Sequence, residues 1–193
     1  MRPQDIVEAN RLGPDYVGFV FAPKSARMVL PSEAKKLREA LDPSIKAVGV
    51  FVNEPAYEVA WLLNQGVIDI AQIHGHEDAA YLHCLRNLTD KPVWQAFRIK
   101  SREDVERAKR SSADRILLDS GAGTGLSFNW GLIGELQRPY LLAGGLGPGN
   151  VGLALKKLSP WGVDVSSGIE TDGRKDPEKM AAFVAAVRKE DTR

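Results

Sequence analysis

Seven short apolar runs recur along the chain at intervals of about 25 residues, and this recurrence limits the possible folds more than any other feature. Each run is rich in Val, Ile or Leu. Several are apolar at consecutive positions, as expected for parallel strands covered on both faces. The runs are Tyr16–Phe21, Ala47–Val52, Val67–Ile73, Val93–Ile99, Arg115–Asp119, Tyr140–Ala143 and Gly162–Val165. The roughly ten to fifteen residues between them suit a helix and two turns, so the sequence predicts repeated β–α units.

The segments between the runs carry apolar residues at helical spacing. After Pro31, Ala34, Leu37 and Leu41 recur at i, i+3 and i+7, positions that share one face of a helix. Another helix precedes the first run, and Gly13 follows it at a position typical of helix C-caps. That helix is Pro3–Leu12, and the further predicted helices are Pro55–Leu63, Asp78–Leu88, Ser101–Lys109 and Asp176–Val187.

These elements predict a single domain over residues 1–193, an α/β fold of the (β/α)8 TIM-barrel class that lacks its first strand. Such a barrel begins with a strand, whereas this sequence begins with a helix and shows seven strands. An open doubly wound sheet is the alternative. It is disfavoured because no GxGxxG follows the first run, and glycine-rich turns follow the last three runs instead.

Composition excludes several classes of function. The 26 basic and 25 acidic residues leave a net charge of +1, so no basic excess favours a nucleic acid partner. One cysteine cannot form a disulfide framework and is compatible with a reducing compartment. No apolar run is long enough to span a membrane, and the polar N-terminus does not resemble a secretory signal. We therefore expect a cytoplasmic protein that binds neither nucleic acid nor membrane.

The turns after the last two runs predict a phosphate site. Gly144 and Gly145 follow one run, and Ser166, Ser167 and Gly168 follow the other. Glycines allow the backbone to approach an anion and to present its N–H groups. Paired turns after strands 7 and 8 form the usual phosphate site of this fold. A single glycine pair would more often be a plain tight turn, but the two turns together favour phosphate binding.

Four other polar residues stand where runs end. Asp119 could act as a general acid, or its carboxylate could cap the following loop. Arg27 could bind a carboxylate in bidentate fashion, although a solvated surface arginine is the commoner case. His74 could polarise a substrate or hold its loop in place. Asp164 could face the barrel mouth or satisfy neighbouring backbone donors.

The only thiol, Cys84, falls about two turns into the helix that follows His74. Helices on the outside of a barrel run away from its catalytic face, so we expect Cys84 to be inert and packed. His83 is its neighbour in sequence, and adjacent residues on a helix do not face one site. The sequence therefore predicts no metal site.

Taken together, these stretches resemble phosphoribosylanthranilate isomerase, a (β/α)8-barrel family of tryptophan biosynthesis. The matching pieces occur in the family's order and spacing. FVFAPKS and the pair LAGGL…NV with VDVSSG are the most specific of them. The pieces are Gly18–Arg27, Val48–Asn53, Gln72–Gly75, Leu117–Trp130, Leu142–Val151 and Gly162–Asp176.

The resemblance implies an Amadori rearrangement without a cofactor, in which N-(5-phosphoribosyl)anthranilate becomes an aminoketose. An acid protonates the ribose ring oxygen and a base removes the proton at C2. By resemblance, Asp119 is the acid and Arg27 binds the anthranilate carboxylate. Asp164 lies near the reacting centre, and the residues Gly144, Gly145, Ser166, Ser167 and Gly168 bind the phosphate of this small-molecule substrate.

The sequence departs from the family at its start. Family members begin with a strand reading approximately K-I-C-G-L-T, whose cysteine is the general base, and Met1–Asp5 aligns with the segment after that strand. Either the start was assigned too far downstream or the chain is truncated. Three functions therefore stay open, which are the isomerase itself, a non-catalytic phospho-ligand-binding relic of it, and another sugar-phosphate isomerase.

Absence of the first strand would expose the edges of Tyr16–Phe21 and Gly162–Val165. Unpaired apolar edges invite another chain or a rearrangement. We expect an opened or distorted barrel, or a homodimer that covers this seam. The alternative is direct pairing of the two edges into a seven-stranded barrel, which would alter strand tilt and stagger.

Overall fold

The computed structural model describes residues 1–119, 130–133 and 136–190, and the chain divides into two compact units. Unit 1 comprises residues 1–96 and 112–114, and unit 2 comprises residues 97–111 and the chain from Arg115 onward. Seven strands follow one another in a single sheet in chain order, and the strand pairs described within each unit are parallel. This confirms the predicted α/β class with seven strands. The single domain stays a prediction.

Unit 1 alternates helices and strands from its first residues. Its helices and strands are α1 (Pro3–Leu12), β1 (Tyr16–Val20), α2 (Pro31–Ala40), β2 (Lys46–Phe51), α3 (Ala56–Asn64), β3 (Ile70–Ile73) and α4 (Ala79–Leu88). The strand β4 (Val93–Arg98) begins in this unit. As predicted, α1 ends at Gly13, which has φ 60° and donates its N–H to the Ala9 carbonyl at 2.8 Å.

The two faces of the unit 1 sheet differ in their surroundings. Phe19, Phe51 and Ile73 share one face and are fully buried in a core that includes apolar residues of α1 to α4. On the other face, the rings of Tyr16 and Trp94 meet edge to face, with centroids 5.0 Å apart. Coverage on both faces explains why these strands are apolar at consecutive positions.

Unit 2 repeats the pattern and ends in a hairpin and a helix. Its elements are α5 (Arg102–Lys109), β5 (Arg115–Asp119), β6 (Tyr140–Ala143), α6 (Val151–Leu158), β7 (Gly162–Val163), β8 (Glu170–Thr171), β9 (Arg174–Lys175) and α7 (Pro177–Glu190). Its core gathers Ile116, Leu118, Leu142, Val151 and Phe183. The packed strands β5 to β7 therefore fix the points at which the loops of this unit begin.

Three details differ from the sequence predictions. The helix α6 was not predicted, because Gly152 interrupts its apolar pattern. The antiparallel hairpin of β8 and β9 was also not predicted, although Asp172-Gly173 is a typical two-residue turn with positive φ at both positions. The expected packing of Cys84 is wrong. It is exposed on α4, whose buried residues are Leu82 and Leu85.

Candidate active site

In unit 2, two carboxylates flank the glycine turn that leaves β6. Asp119 is the last residue of β5 and is paired in register with Ala143, the last residue of β6. Asp164 follows β7 and donates its backbone N–H to the Leu142 carbonyl at 2.9 Å. The carboxyl ends of parallel strands meet at one edge of a sheet, so this unit brings Asp119, Gly144 and Asp164 to the same edge.

The backbone of Asp119 is held firmly at the end of its strand. Its carbonyl accepts the Ile99 N–H at 2.9 Å, and the residues before it, Leu117 and Leu118, are fully buried. Asp119 itself is half-buried at the end of this apolar strand. A carboxyl group in that setting can give or accept a proton. Residues Ser120–Asn129, which include most of the matched GTG and FNW segment, lie outside the described residues.

The turn after β6 has the backbone that its glycines predict. Gly144 and Gly145 have φ of 90° and 64°, a region that only glycine adopts without strain. The side chain of Asn150 stabilises this turn through both the oxygen and the nitrogen of its amide. It accepts the Gly147 N–H at 2.8 Å and donates to the Gly145 carbonyl at 2.9 Å. Sequence reasoning gave Asn150 no role, although it lies within the matched LAGGLGPGNV segment.

The turn after β7 lies directly against the turn after β6. A Cβ on Gly168 would overlap the Leu146 carbonyl oxygen and lie 3.0 Å from the Gly147 Cα. Only a glycine permits this approach. Ser166 and Ser167 are exposed beside it. Unit 2 thus brings the five residues of the predicted phosphate site onto two adjoining turns whose backbones can face one anion.

In unit 1, the predicted ligands Arg27 and His74 follow β1 and β3. The loop that carries Arg27 is pinned at both sides, because the Arg27 N–H donates to Ser25 Oγ at 3.1 Å and the Val29 N–H donates to the Val20 carbonyl at 2.9 Å. His74 donates its backbone N–H to the Phe51 carbonyl at 2.8 Å. Both side chains are half-buried.

A carboxylate that sequence reasoning missed joins the loops after β2 and β3. Glu77 accepts the backbone N–H groups of Asn53 at 2.6 Å and Gly75 at 2.8 Å, while its own carbonyl accepts Nε2 of Gln95 at 2.8 Å. The Asn53 side chain in turn accepts the His76 N–H at 2.8 Å. These bonds fix the residues that follow His74 to the loop after β2. In that loop Asn53 has a positive φ of 56°.

Tyr81 extends this network from the first turn of α4. Its hydroxyl donates to the Glu54 carbonyl at 2.8 Å. Burial raises the pKa of Tyr81 well above its usual value, and the nearby carboxylates of Glu77 and Glu54 raise it further. The hydroxyl therefore stays protonated at neutral pH and remains a donor.

Some classes of site are not found in the described parts of the chain. No cluster of three or more His, Cys, Asp or Glu side chains suited to a metal occurs within residues 1–119, 130–133 and 136–190. None of the helices in those ranges has the length and hydrophobicity that a bilayer crossing requires.

A parallel α/β sheet with two adjoining glycine turns after its last two strands is typical of phosphate-binding barrel proteins. Comparisons with known proteins narrow this class. The family model for N-(5'-phosphoribosyl)anthranilate (PRA) isomerase matches residues 1–186. A curated relative, N-(5'-phosphoribosyl)anthranilate isomerase of Thermoanaerobacter sp. (strain X514), is 45% identical over 97% of this chain and 94% of its own length. This chain belongs to the PRA isomerase family.

Two solved structures agree with that assignment. One is a phosphoribosyl anthranilate isomerase in complex with reduced 1-(o-carboxyphenylamino)-1-deoxyribulose 5-phosphate, with a TM-score of 0.87 and 32% identity over 97% of this chain and 94% of that one. The other shows monomers generated from the dimeric isomerase of Thermotoga maritima, with a TM-score of 0.87 and 33% identity over the same shares of the two chains.

Proposed function

We propose that this chain catalyses the isomerisation of N-(5-phosphoribosyl)anthranilate, an aminoaldose, to the corresponding aminoketose in tryptophan biosynthesis. The observation that carries the proposal is the family match over residues 1–186, which includes Asp119 and both glycine turns. The enzyme is an intramolecular isomerase. It moves protons within one phosphorylated small molecule and neither adds nor removes a group.

We infer that Asp119 is the general acid. Protonation of the ribose ring oxygen makes the C1–O bond easier to break, and the anthranilate nitrogen supplies the electron pair that replaces it. Removal of the proton at C2 then leads to the aminoketose. The half-buried setting of Asp119 at the end of β5, and its place next to the turn after β6, support this role.

The two charged ends of the substrate call for two kinds of binding group. We propose that Gly144, Gly145, Ser166, Ser167 and Gly168 bind the phosphate through backbone N–H groups and serine hydroxyls. We propose that Arg27 binds the anthranilate carboxylate, since a guanidinium matches a carboxylate with two parallel bonds. His74 and Asp164 are proposed to contact the substrate as well.

The proposed reaction also needs a general base to remove the proton at C2. In the family it is a cysteine on a strand that precedes the segment aligned with Met1–Asp5, and the one cysteine of this sequence, Cys84, is exposed on α4. The alternative function is that of a phospho-ligand-binding protein without turnover. General-base catalysis typically contributes about 10²- to 10⁴-fold.

An assay on two forms of the protein separates these candidates. The 193-residue chain and a version with a K-I-C-G-L-T-like segment in front of Met1 are compared for formation of the aminoketose. We expect the longer form to turn over at least about 10²-fold faster. If both forms fold and bind phosphate but neither turns over, the ligand-binding function replaces the isomerase.

Two finer proposals concern assembly and location. We propose that the chain forms a homodimer in which a second copy covers the outer edge of β1, since β1 stands at one end of the sheet order. The dimeric Thermotoga maritima relative supports a dimer without defining its interface. We also propose a cytoplasmic location, supported by the single cysteine of the sequence.

A further inference from the structure

A largely buried ion pair joins the two strands of the hairpin that follows the turn after β7. Lys175 on β9 places Nζ 2.9 Å from Oε1 of Glu170 on β8, and only 15% and 6% of the two side chains are exposed. Both residues belong to the hairpin that Asp172-Gly173 closes. Removing two charges from water is costly, and an ion pair of this kind adds little net stability. Stability alone therefore does not explain this pair, and a second contact of the Lys175 ammonium group indicates its role.

A second contact of Lys175 is with the proposed phosphate turn. Lys175 Nζ donates to the backbone carbonyl of Ser166 at 2.9 Å. In a trans peptide the C=O and the N–H of one unit point in opposite directions. The unit that begins with the Ser166 carbonyl ends with the Ser167 N–H. The Ser166 carbonyl also accepts the Ile169 N–H, at 3.5 Å, so Lys175 gives it the shorter of its two bonds and the Ser167 N–H points away from Nζ.

We infer that Lys175 is a positioning residue that orients the Ser166–Ser167 peptide so that the Ser167 N–H is presented to the substrate phosphate. The inference rests on the proposed function, because it assumes that this turn binds phosphate. Glu170 holds the ammonium group in place. The charge-assisted bond to Ser166 also polarises the peptide and makes its N–H a better donor to an anion.

The rest of the hairpin fixes Lys175 where this role needs it. Lys179 of α7 donates Nζ to the Glu170 carbonyl at 2.8 Å, and Thr171 Oγ1 donates to Asp176 Oδ2 at 2.6 Å. The Asp176 N–H also donates to the Ile169 carbonyl at 3.0 Å. The first turn of α7 and the hairpin thus form one braced unit, from which Lys175 reaches the phosphate turn.

Titration of the 193-residue chain with inorganic phosphate, followed by the amide shifts of Gly145, Ser167 and Gly168, tests the inference. The main variant combines Lys175→Met with Glu170→Gln, which removes both charges and leaves no buried charge uncompensated. We expect it to shift the Ser167 amide and to weaken phosphate binding about 10-fold or more, the cost of one hydrogen bond to a charged group. A second variant, Lys175→Gln, is shorter and cannot reach both Glu170 and Ser166. We expect the same direction of change.

Two controls separate positioning from general stability of the hairpin. Glu170→Gln removes the negative charge but keeps a side-chain oxygen that can still accept from Nζ, so Lys175 stays on Ser166 and the phosphate affinity should stay within about three-fold of the wild type. Arg174→Gln removes an exposed charge from the same strand and should change nothing. In the form of the enzyme that turns over, loss of Lys175 should raise KM with little change in kcat. The phosphate is remote from the reacting atoms and is bound equally strongly in the ground state and the transition state.

The outcomes distinguish this inference from the function on which it rests. If phosphate moves no amide of the two turns in the wild type, the proposed phosphate site is wrong. If the wild type binds phosphate and the Lys175 variants bind it equally well, the inference alone is wrong. It is also wrong if Glu170→Gln weakens binding as much as the double variant, since the stability of the hairpin would then explain the loss.

Discussion

Gly168 lies so close to the preceding turn that a single added carbon would meet backbone atoms, the Leu146 carbonyl carbon among them at 2.8 Å. Gly168→Ala must therefore push the two turns of the proposed phosphate site apart. We expect a loss of stability of about 1–3 kcal/mol, typical of overpacking, together with a clear loss of phosphate affinity. Urea unfolding and phosphate titration measure the two effects.

Gly149→Ala is the matched control for that substitution. Gly149 lies in the turn after β6, and a Cβ there would have no atom within 4 Å. We expect stability and phosphate affinity close to those of the wild type. Equal losses in the two variants would mean that the contact between the turns is not what Gly168 provides.

Asp119 carries the proposed acid step, and Asp119→Asn tests it by keeping the shape of the side chain without its ionisable proton. In whichever form of the chain turns over, we expect kcat to fall by about 10²-fold or more while the fold is retained. Asp90→Asn makes the same change at an exposed site and should leave kcat unaltered. Near-wild-type turnover in Asp119→Asn would remove this residue from its role.

At the scale of elements, the start of α5 shows how one carboxylate organises a helix end. Asp104 accepts the backbone N–H groups of Lys100 at 2.9 Å and Ser101 at 3.0 Å, and pairs with Arg107 at 3.0 Å. These groups, the Lys100 N–H first, hold the pKa of Asp104 below its usual value. Ser101 is the N-cap of α5, at the residue where the sequence predicts that this helix begins.

The lowered pKa gives a pH dependence of known sign. A group whose folded pKa is depressed contributes stability above its unfolded pKa, about 3.9 for aspartate, and loses it as pH falls through the folded pKa. Asp104→Ala should therefore cost about 1 kcal/mol at pH 7 and progressively less as the pH falls through the lowered folded pKa. Amide exchange in α5, followed from pH 7 downward, measures this. The comparison variant is Glu106→Ala, whose carboxylate forms an exposed pair with Lys109, and its effect should be small.

Elements were predicted well where a local pattern and the tertiary environment agree. The strands β5 and β6 match the runs Arg115–Asp119 and Tyr140–Ala143, because parallel strands buried on both faces leave an uninterrupted apolar signal. The helix α1 matches equally well, since Gly13 marks its end. Two-residue strands such as β8 and β9 are too short to give an apolar pattern, and only the turn residues Asp172-Gly173 indicate them in the sequence.

The candidate site was predictable only in part. Asp119, Arg27 and the glycine turns stand at the ends of apolar runs, where position alone suggests a role. Glu77 and Lys175 act on backbone groups that belong to other segments, and no spacing in the sequence reveals such contacts. The sequence likewise predicts Gly168 as a phosphate ligand from its position after β7. Its close approach to Leu146, a residue of another turn, is evident only in the structure.

At the scale of the whole molecule, the outer edge of β1 determines the proposed assembly. Phe21, which directly follows β1, donates its N–H to the Val50 carbonyl of β2. Backbone N–H and C=O groups alternate in direction along a strand, so those of the even-numbered residues of β1, Gly18 among them, point away from β2. A second copy could pair there. We expect light scattering to show a mass that rises toward the dimer with concentration, and Gly18→Pro to abolish the rise because proline lacks the donor.

Hydrogen exchange completes that test. The Gly18 amide, which faces away from β2, should become protected only at concentrations where the dimer forms. A monomer at every concentration, with this amide strongly protected, would contradict the proposed dimer and would show that the edge is covered within one chain.

The central claim is that this chain is an isomerase of N-(5-phosphoribosyl)anthranilate, and formation of the aminoketose tests it most directly. The assay compares the 193-residue chain, the form extended by a cysteine-bearing strand, and the extended form with Asp119→Asn. We predict saturable turnover in the extended form and about 10²-fold less in each of the other two. Folded, phosphate-binding protein that shows no turnover in any form would contradict the claim.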